Sequence, residues 1–220
     1  MEFKTTNTTL KFGNYDVHLT IVENLDELFD DLIKKGEEHE DFKDERIPYW
    51  AELWASAIAM SEYLVENALI TEGVTVTEMG CGLGLPSIVA GKLGAEVTMT
   101  DYLDDALDFA KLNWNNNFTN KKATFSRLDW RNPDVSLAAD VLLASDVAYE
   151  KRAFEPLLKA FKTMTRPNGK IIVTEPNRYV SKNFFLNLNT EGYVVRHSTK
   201  TVETRGHPFL INIYELAARF

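Results

Sequence analysis

A doubly wound α/β fold, with one mostly parallel seven-stranded sheet, is predicted by three features of the sequence. Strand-like and helix-like segments alternate through residues 56–190. Ala139 to Ala144 is a continuous apolar run, as expected of a central parallel strand covered on both faces. The last two strand segments, 192–199 and 209–217, have no helix between them, which places an antiparallel pair on one edge of the sheet.

Residues 1–24 alternate weakly and turn at Gly13-Asn14, reading as a hairpin with Val17, Leu19 and Ile21 on one face. Residues 25–40 read as an acidic helix with Leu28, Phe29, Leu32 and Ile33 as its apolar stripe and Gly36 as its stop. The charge run Glu37 to Arg46 reads as a solvated loop. A boundary falls there, giving a hairpin-and-helix extension over 1–46 and a core domain over 47–220. Ala57, Met60, Leu64, Val65 and Ala68 then lie at helical spacing, and Val74 to Met79 is a short β-branched strand. It ends in the cluster Gly80-Cys81-Gly82-Leu83-Gly84, after which a helix starts at Pro86, whose missing N–H costs nothing in a first turn.

Glu96 to Thr100 is the second strand of this core. Leu103 to Trp114 is a helix with Leu103, Ala106, Leu107, Ala110 and Trp114 inward, and 123–128 a third strand. Beyond the apolar strand, Phe154, Leu157, Leu158, Phe161 and Met164 mark a helix. A Pro167-Asn168-Gly169 turn leads into the strand Lys170 to Thr174, and a helix over about 181–190 precedes the closing strand pair.

The 220 residues carry 24 Lys and Arg against 33 Asp and Glu, a formal net charge of −9. With 45% hydrophobic and 26% charged residues, the composition is that of an ordinary globular chain. Binding a phosphate backbone draws on a surplus of basic residues, so no nucleic acid is expected as partner. The single cysteine, Cys81, excludes an intramolecular disulfide or a thiolate metal cluster and reads as a small filler. His18, His39, His197 and His207 have no ligand-spaced partners, so no metal site is expected. No apolar run approaches the ~18 residues of a membrane span. The opening MEFKTTNTTL lacks the plan of a signal peptide. A soluble, cytoplasmic protein is the expectation.

Glycines that follow a first strand and open a helix let a ligand approach the backbone closely. A dinucleotide loop would need G-x-G-x-x-G, and Leu85 stands where its third glycine belongs. A phosphate-binding G-x-x-x-x-G-K-[ST] loop is absent too. Glu78, at the strand end, would repel a pyrophosphate but suits a ligand carrying an amine. Asp101 closes the second core strand, seventeen residues beyond Gly84, where an acid can accept from both ribose hydroxyls. Glycines, Glu78 and Asp101 together describe a nucleoside with an amino-acid tail, and S-adenosyl-L-methionine fits that description. The bland alternative is a turn whose glycines merely pack.

Three further blocks narrow the reading: Pro48-Tyr49-Trp50-Ala51-Glu52-Leu53-Trp54-Ala55-Ser56-Ala57, Leu128-Asp129-Trp130, and Ser145-Asp146-Val147-Ala148-Tyr149. With Thr77 to Pro86 and Gly94 to Tyr102, their order and spacing resemble the seven-β-strand lysine methyltransferases of the class I, Rossmann-like type. Some relatives of that family carry a nicotinamide N-methyltransferase label. The resemblance covers residue 47 onward and implies S-adenosyl-L-methionine as methyl donor, with S-adenosyl-L-homocysteine as product. It implies that Gly80, Gly82 and Gly84 shape the methionine side of the site, with Asp101 on the ribose and Tyr102 beside it. Leu128, Asp129 and Trp130 would frame the adenine, and Trp54 would close over the cofactor. Ser145 and Asp146 would stand where the methyl emerges, and Tyr149 would line the acceptor pocket.

Each has a structural alternative. Trp50 and Trp54 could anchor the following helix, Asp129 could form a turn, and Trp130 and Tyr149 could simply pack. Asp146 could cap the helix that begins near Lys151. For the acceptor, the resemblance implies a lysine of a protein partner, with a small amine as the rival. The −9 charge favours a lysine-bearing partner through faster encounter. An amine must be neutral to attack, and lysine's ordinary pKa is about 10.4. Asp146 is therefore expected to orient the amine and accept its proton, with Tyr149 hydrogen-bonding or facing the methylated cation.

Overall fold

The computed structural model describes residues 3–36, 38–39 and 47–218. Most of the charge run Glu37 to Arg46 therefore lies outside the described residues. The chain opens with the hairpin β1 (Thr5–Phe12) and β2 (Tyr15–Val22), paired antiparallel, followed by α1 (Leu25–Lys35). A 3-10 turn at Pro48–Ala51 leads into α2 (Ala55–Asn67). The core then runs β3 (Thr75–Met79), α3 (Leu85–Lys92), β4 (Glu96–Asp101), α4 (Asp104–Asn117), β5 (Thr124–Arg127), β6 (Ala139–Ser145), α5 (Phe154–Met164), β7 (Thr165–Glu175), α6 (Lys182–Asn187), β8 (Tyr193–Thr204) and β9 (His207–Ala218).

The large sheet has seven strands in the order β5-β4-β3-β6-β7-β9-β8. The first five are parallel; β9 runs antiparallel to β7, and β8 antiparallel to β9. This is the predicted doubly wound sheet with its antiparallel edge. From β3 the chain winds outward through β4 and β5, then returns to place β6 on the other side of β3. That reversal opens a crevice beyond the carboxyl ends of β3 and β6, the usual ligand site of such sheets.

Local departures have local causes. α1 ends at Lys35, where the Gly36 N–H bonds the Ile33 carbonyl, and Ile33 is 66% exposed rather than part of the buried stripe. Ala68 caps α2 in a left-handed conformation instead of packing. Pro167-Asn168-Gly169 is a bulge inside β7: Ala139 faces Thr165, while Val141 already faces Lys170. β8 and β9 continue past the predicted ends to a turn at Arg205-Gly206. Their outer halves, rich in Thr, pair well across strands without showing apolar alternation.

The hairpin β1–β2 is stitched to the core by asparagines. Phe12, Val17 and Leu19 join the cluster of Met60, Leu64 and Val76. On the open edge of β2, the buried Asn113 of α4 accepts from the Thr20 N–H (2.7 Å) and donates to the carbonyls of Thr20 (3.2 Å) and Leu83 (3.0 Å). One helical turn on, Asn117 accepts from the His18 N–H (3.0 Å) and donates to its carbonyl (2.7 Å). Side-chain amides thus take the place of a third strand on that edge. Asn113 also ties the hairpin to the glycine loop.

Candidate active site

Residues at the ends of β3, β4 and β6, the β5–β6 connection and the segment 47–57 line a cavity of about 370 Å³, within the ordinary range for small-molecule sites. Gly80, Gly82 and Gly84 all have positive φ (65°, 49° and 78°), so the loop takes a path that side chains resist. At Gly82 a Cβ would also sit 2.9 Å from the Trp50 carbonyl oxygen, because the segment before α2 is laid directly over the loop. Trp50 is buried against Phe3 and Phe109, as an anchor of that segment.

Asp101 holds the loop in place. One carboxylate oxygen accepts from the Gly82 N–H (3.0 Å) and the other from the Leu103 N–H (3.1 Å). Burial raises its pKa while these backbone donors pull it down. A carboxylate offers about four acceptor sites, so Asp101 retains capacity towards the cavity it lines. Glu78 is placed differently from the other predicted residues: it is fully buried and does not line the cavity. Its Oε2 accepts from the Ser87 N–H at the start of α3 (3.1 Å), and burial pushes its carboxyl up to about 8.

At the far wall, Trp130 packs against Gly80, its ring 3.1 Å from where a Cβ would stand. Asp129 lines the cavity, but its carboxylate accepts from the Arg131 N–H (2.9 Å) and guanidinium (2.7–2.9 Å), which lowers its pKa. Tyr102 also lines it, with the guanidinium groups of Arg127 and Arg131 5.2 and 5.7 Å from its ring centre.

The other end is aromatic and acidic. Trp54 donates its indole N–H to the Tyr49 carbonyl (2.8 Å), and the Tyr49 ring meets both Trp54 (6.1 Å) and Tyr149 (5.7 Å) edge-on. Burial pushes the Tyr149 hydroxyl up to about 12, so it stays a neutral donor at any ordinary pH. Ser145 closes β6, and Asp146 follows in a left-handed conformation (φ 54°) with its side chain 6% exposed. It caps no helix: its oxygens accept from Arg178 Nε (3.0 Å) and Nη2 (2.9 Å). Burial raises the Asp146 pKa, and the guanidinium opposes that rise.

Eleven of the twelve predicted site residues thus line one cavity, and only Glu78 stands behind it. Among the lining residues, five acids (Glu52, Asp101, Asp129, Asp146, Glu150) face two arginines (Arg131, Arg152). Four of these acids are paired with arginines (Asp129 with Arg131, Asp146 with Arg178, Glu150 with Arg152, Glu52 with Arg205), so it is the glycine cradle and Asp101, with its spare acceptor capacity, that fit a ligand with a ribose. Tyr49, Arg131 and Arg178 were not singled out by sequence reasoning. Tyr49 lies in the tryptophan block, whereas Arg178, in the stretch after Glu175, carries no local signal.

The profile of a family described as lysine methyltransferase matches residues 39–191. The mouse protein N-lysine methyltransferase METTL21A is 32% identical over 151 residues, 66% of this chain and 69% of that protein. The rat histone-arginine methyltransferase METTL23 is 30% identical over 133 residues, covering 57% of this chain and 58% of the relative. The histidine protein methyltransferase 1 homolog of Dictyostelium discoideum is 30% identical over 134 residues, 58% and 43% respectively. The chain spans about two thirds of the length of the METTL21A relatives it matches. Among solved structures, the magnesium protoporphyrin IX methyltransferase of Synechocystis, with bound S-adenosylmethionine, superposes with a TM-score of 0.60 at 18% identity, covering 90% of this chain and 98% of that one. That likeness shows the shared fold.

Proposed function

The chain belongs to the lysine methyltransferase family, enzymes that use S-adenosylmethionine as methyl donor, and we propose that it methylates a lysine side chain of a protein partner. The observation that carries the proposal is the acceptor end of the cavity, where Tyr49, Trp54 and Tyr149 cluster beside a carboxylate. Aromatic faces around an acid favour an alkylammonium and its methylated products over a neutral or anionic acceptor.

In this assignment Gly80, Gly82 and Gly84 leave room for the amino-acid end of the cofactor, and Asp101 accepts from the ribose. Tyr102, Leu128, Asp129 and Trp130 frame the adenine, with Trp54 closing the site and Ser145 at its far end. Glu78 acts from behind, steadying the start of α3 through Ser87. When bound, S-adenosylmethionine supplies an electrophilic methyl whose leaving group needs no proton. The residues' main task is therefore to hold donor and acceptor in line, worth up to roughly 7–11 kcal/mol in favourable systems. Asp146 orients the amine by hydrogen bonding, and Tyr149 donates its hydroxyl or faces the product cation.

Residues 1–46 are assigned as an extension that braces the core. None of the described residues before Ile47 lines the cavity. Among the described residues no helix is long and apolar enough to cross a membrane, and a cytoplasmic protein acceptor is part of the same proposal.

Incubation with tritiated S-adenosylmethionine and a cell extract tests it, with Asp101→Ala as control. Label is expected in a protein band and, after hydrolysis, in methyllysine. Label confined to small molecules would move the acceptor to a free amine, and label in methylarginine or methylhistidine would move it to the chemistry named for other relatives. Unimpaired turnover in Asp146→Asn would remove Asp146 from the acceptor site.

A further inference from the structure

Arg178 reaches Asp146 from the loop between β7 and α6, not from the cavity, which it does not line. Its backbone is clamped: the Arg178 N–H donates to Glu175 Oε2 (2.8 Å), which also accepts from the Ser181 hydroxyl (3.1 Å). The other Glu175 oxygen accepts from the Asn212 side-chain amide of β9. Asn212 Oδ1 then lies 2.9 Å from His197 Nε2 on β8, so three elements past the site hold this loop in place. The guanidinium forks onto both oxygens of Asp146 and lies 6.0 Å from the Trp54 ring centre. Its side chain is 34% exposed against 6% for Asp146.

This arrangement answers a conflict within the proposed reaction. A buried carboxylate beside the acceptor orients the amine but also holds it protonated, since a nearby opposite charge stabilises the charged form. We propose that Arg178 is a positioning residue that balances the charge of Asp146 from behind, so that Asp146 directs the acceptor amine without trapping it as ammonium. The inference rests on the reading of Asp146 as the acceptor carboxylate. Arginine suits the task because it stays charged at every working pH and grips a carboxylate with two fixed donors. Each Asp146 oxygen keeps acceptor capacity towards the cavity.

The other charged and titratable groups around the pair do not supply this balance. Glu175 adds a negative charge from the end of β7. Tyr149 and Tyr49 are phenols, Glu150 carries its own partner in Arg152 (2.8 Å), and Asp101 adds a further negative charge at the cofactor end. Glu52 is paired with Arg205 (2.7 Å) at the tip of the β8–β9 hairpin.

Two ligands test the proposal without a known acceptor: S-adenosylhomocysteine, and sinefungin, which carries an amino group where the cofactor carries its methyl. Their dissociation constants are measured by calorimetry at pH 8. In R178Q the ratio of the sinefungin constant to the S-adenosylhomocysteine constant should fall about tenfold, because the ligand's ammonium meets an unbalanced carboxylate. R178K, which keeps the charge, should stay near the wild-type ratio, and D146N/R178Q should return to it. In the extract assay, R178Q should also shift the alkaline rise of protein labelling to higher pH. An unchanged ratio in R178Q overturns the proposal. So does an equal loss of both ligands in R178Q and R178K, which would make Arg178 a purely structural prop. Failure of the wild type to bind S-adenosylhomocysteine would instead refute the cofactor site itself and take this inference with it.

Discussion

Around the glycine loop the cavity wall includes bare backbone: three glycines within five residues, held by a single acid at the next strand end. At the aromatic end the wall is side chains brought from separate stretches, with Tyr49 and Trp54 before the core, Asp146 and Tyr149 after β6, and Arg178 behind them after β7. The loop wall takes left-handed φ values at all three glycines, which glycine adopts at the lowest cost. A side-chain wall tolerates any local sequence, provided that packing delivers the groups. The first kind of site is therefore exacting about residue identity at each step, and the second about long-range contacts.

Asp101→Ala should give the largest effect. It strips the acceptor from the Gly82 and Leu103 N–H groups as well as from the ligand, and should weaken S-adenosylhomocysteine binding by about 100-fold or more in calorimetry. Tyr149→Phe at the other end should leave that affinity within about twofold; an equal loss in both variants would erase the distinction between the two walls. Gly82→Ala comes next. A left-handed φ and a 2.9 Å approach to the Trp50 carbonyl should together lower the melting temperature by about 5–10 °C. Unchanged melting would show that the loop is not constrained by the overlying segment.

The last prediction is a pH dependence. Glu78 has a folded-state pKa of about 8 against an ordinary 4.5, so the folded protein retains a proton that the unfolded chain gives up. Its contribution to stability is complete below about 4.5 and is lost as the pH rises towards 8. Glu78→Gln, which keeps the acceptor for the Ser87 N–H, should gain stability relative to wild type as the pH rises from 5 to 8, followed by denaturant titration at each pH. A difference independent of pH would mean that Glu78 is ionised throughout, and so in contact with the solvent or ligand space of the cavity.

Much of this was open to sequence reasoning because the signals are local. The glycine spacing, Asp101, and the Leu128-Asp129-Trp130 and Ser145-Asp146 blocks each lie at a strand end, and the parallel sheet brings strand ends together at the switch between β3 and β6. Glu78 shows the limit of that logic. It adjoins the loop in sequence, but successive side chains on a strand alternate in direction, and its carboxylate points into the protein rather than the cavity. Asp129 is similar: its place on the wall was readable, but its engagement by Arg131 was not.

By itself the sequence determined the strand and helix alternation, the antiparallel edge and the glycine cradle, since these follow from hydrophobic period and from conformations open to few residues. Only the tertiary structure decided that asparagines on α4 complete the edge of β2, and that Arg178 faces Asp146 across 32 residues of chain. A polar side chain carries the same local signature whether it ends in water or in a fixed partner. Which of the two it meets is set by the packing of elements far apart in the chain.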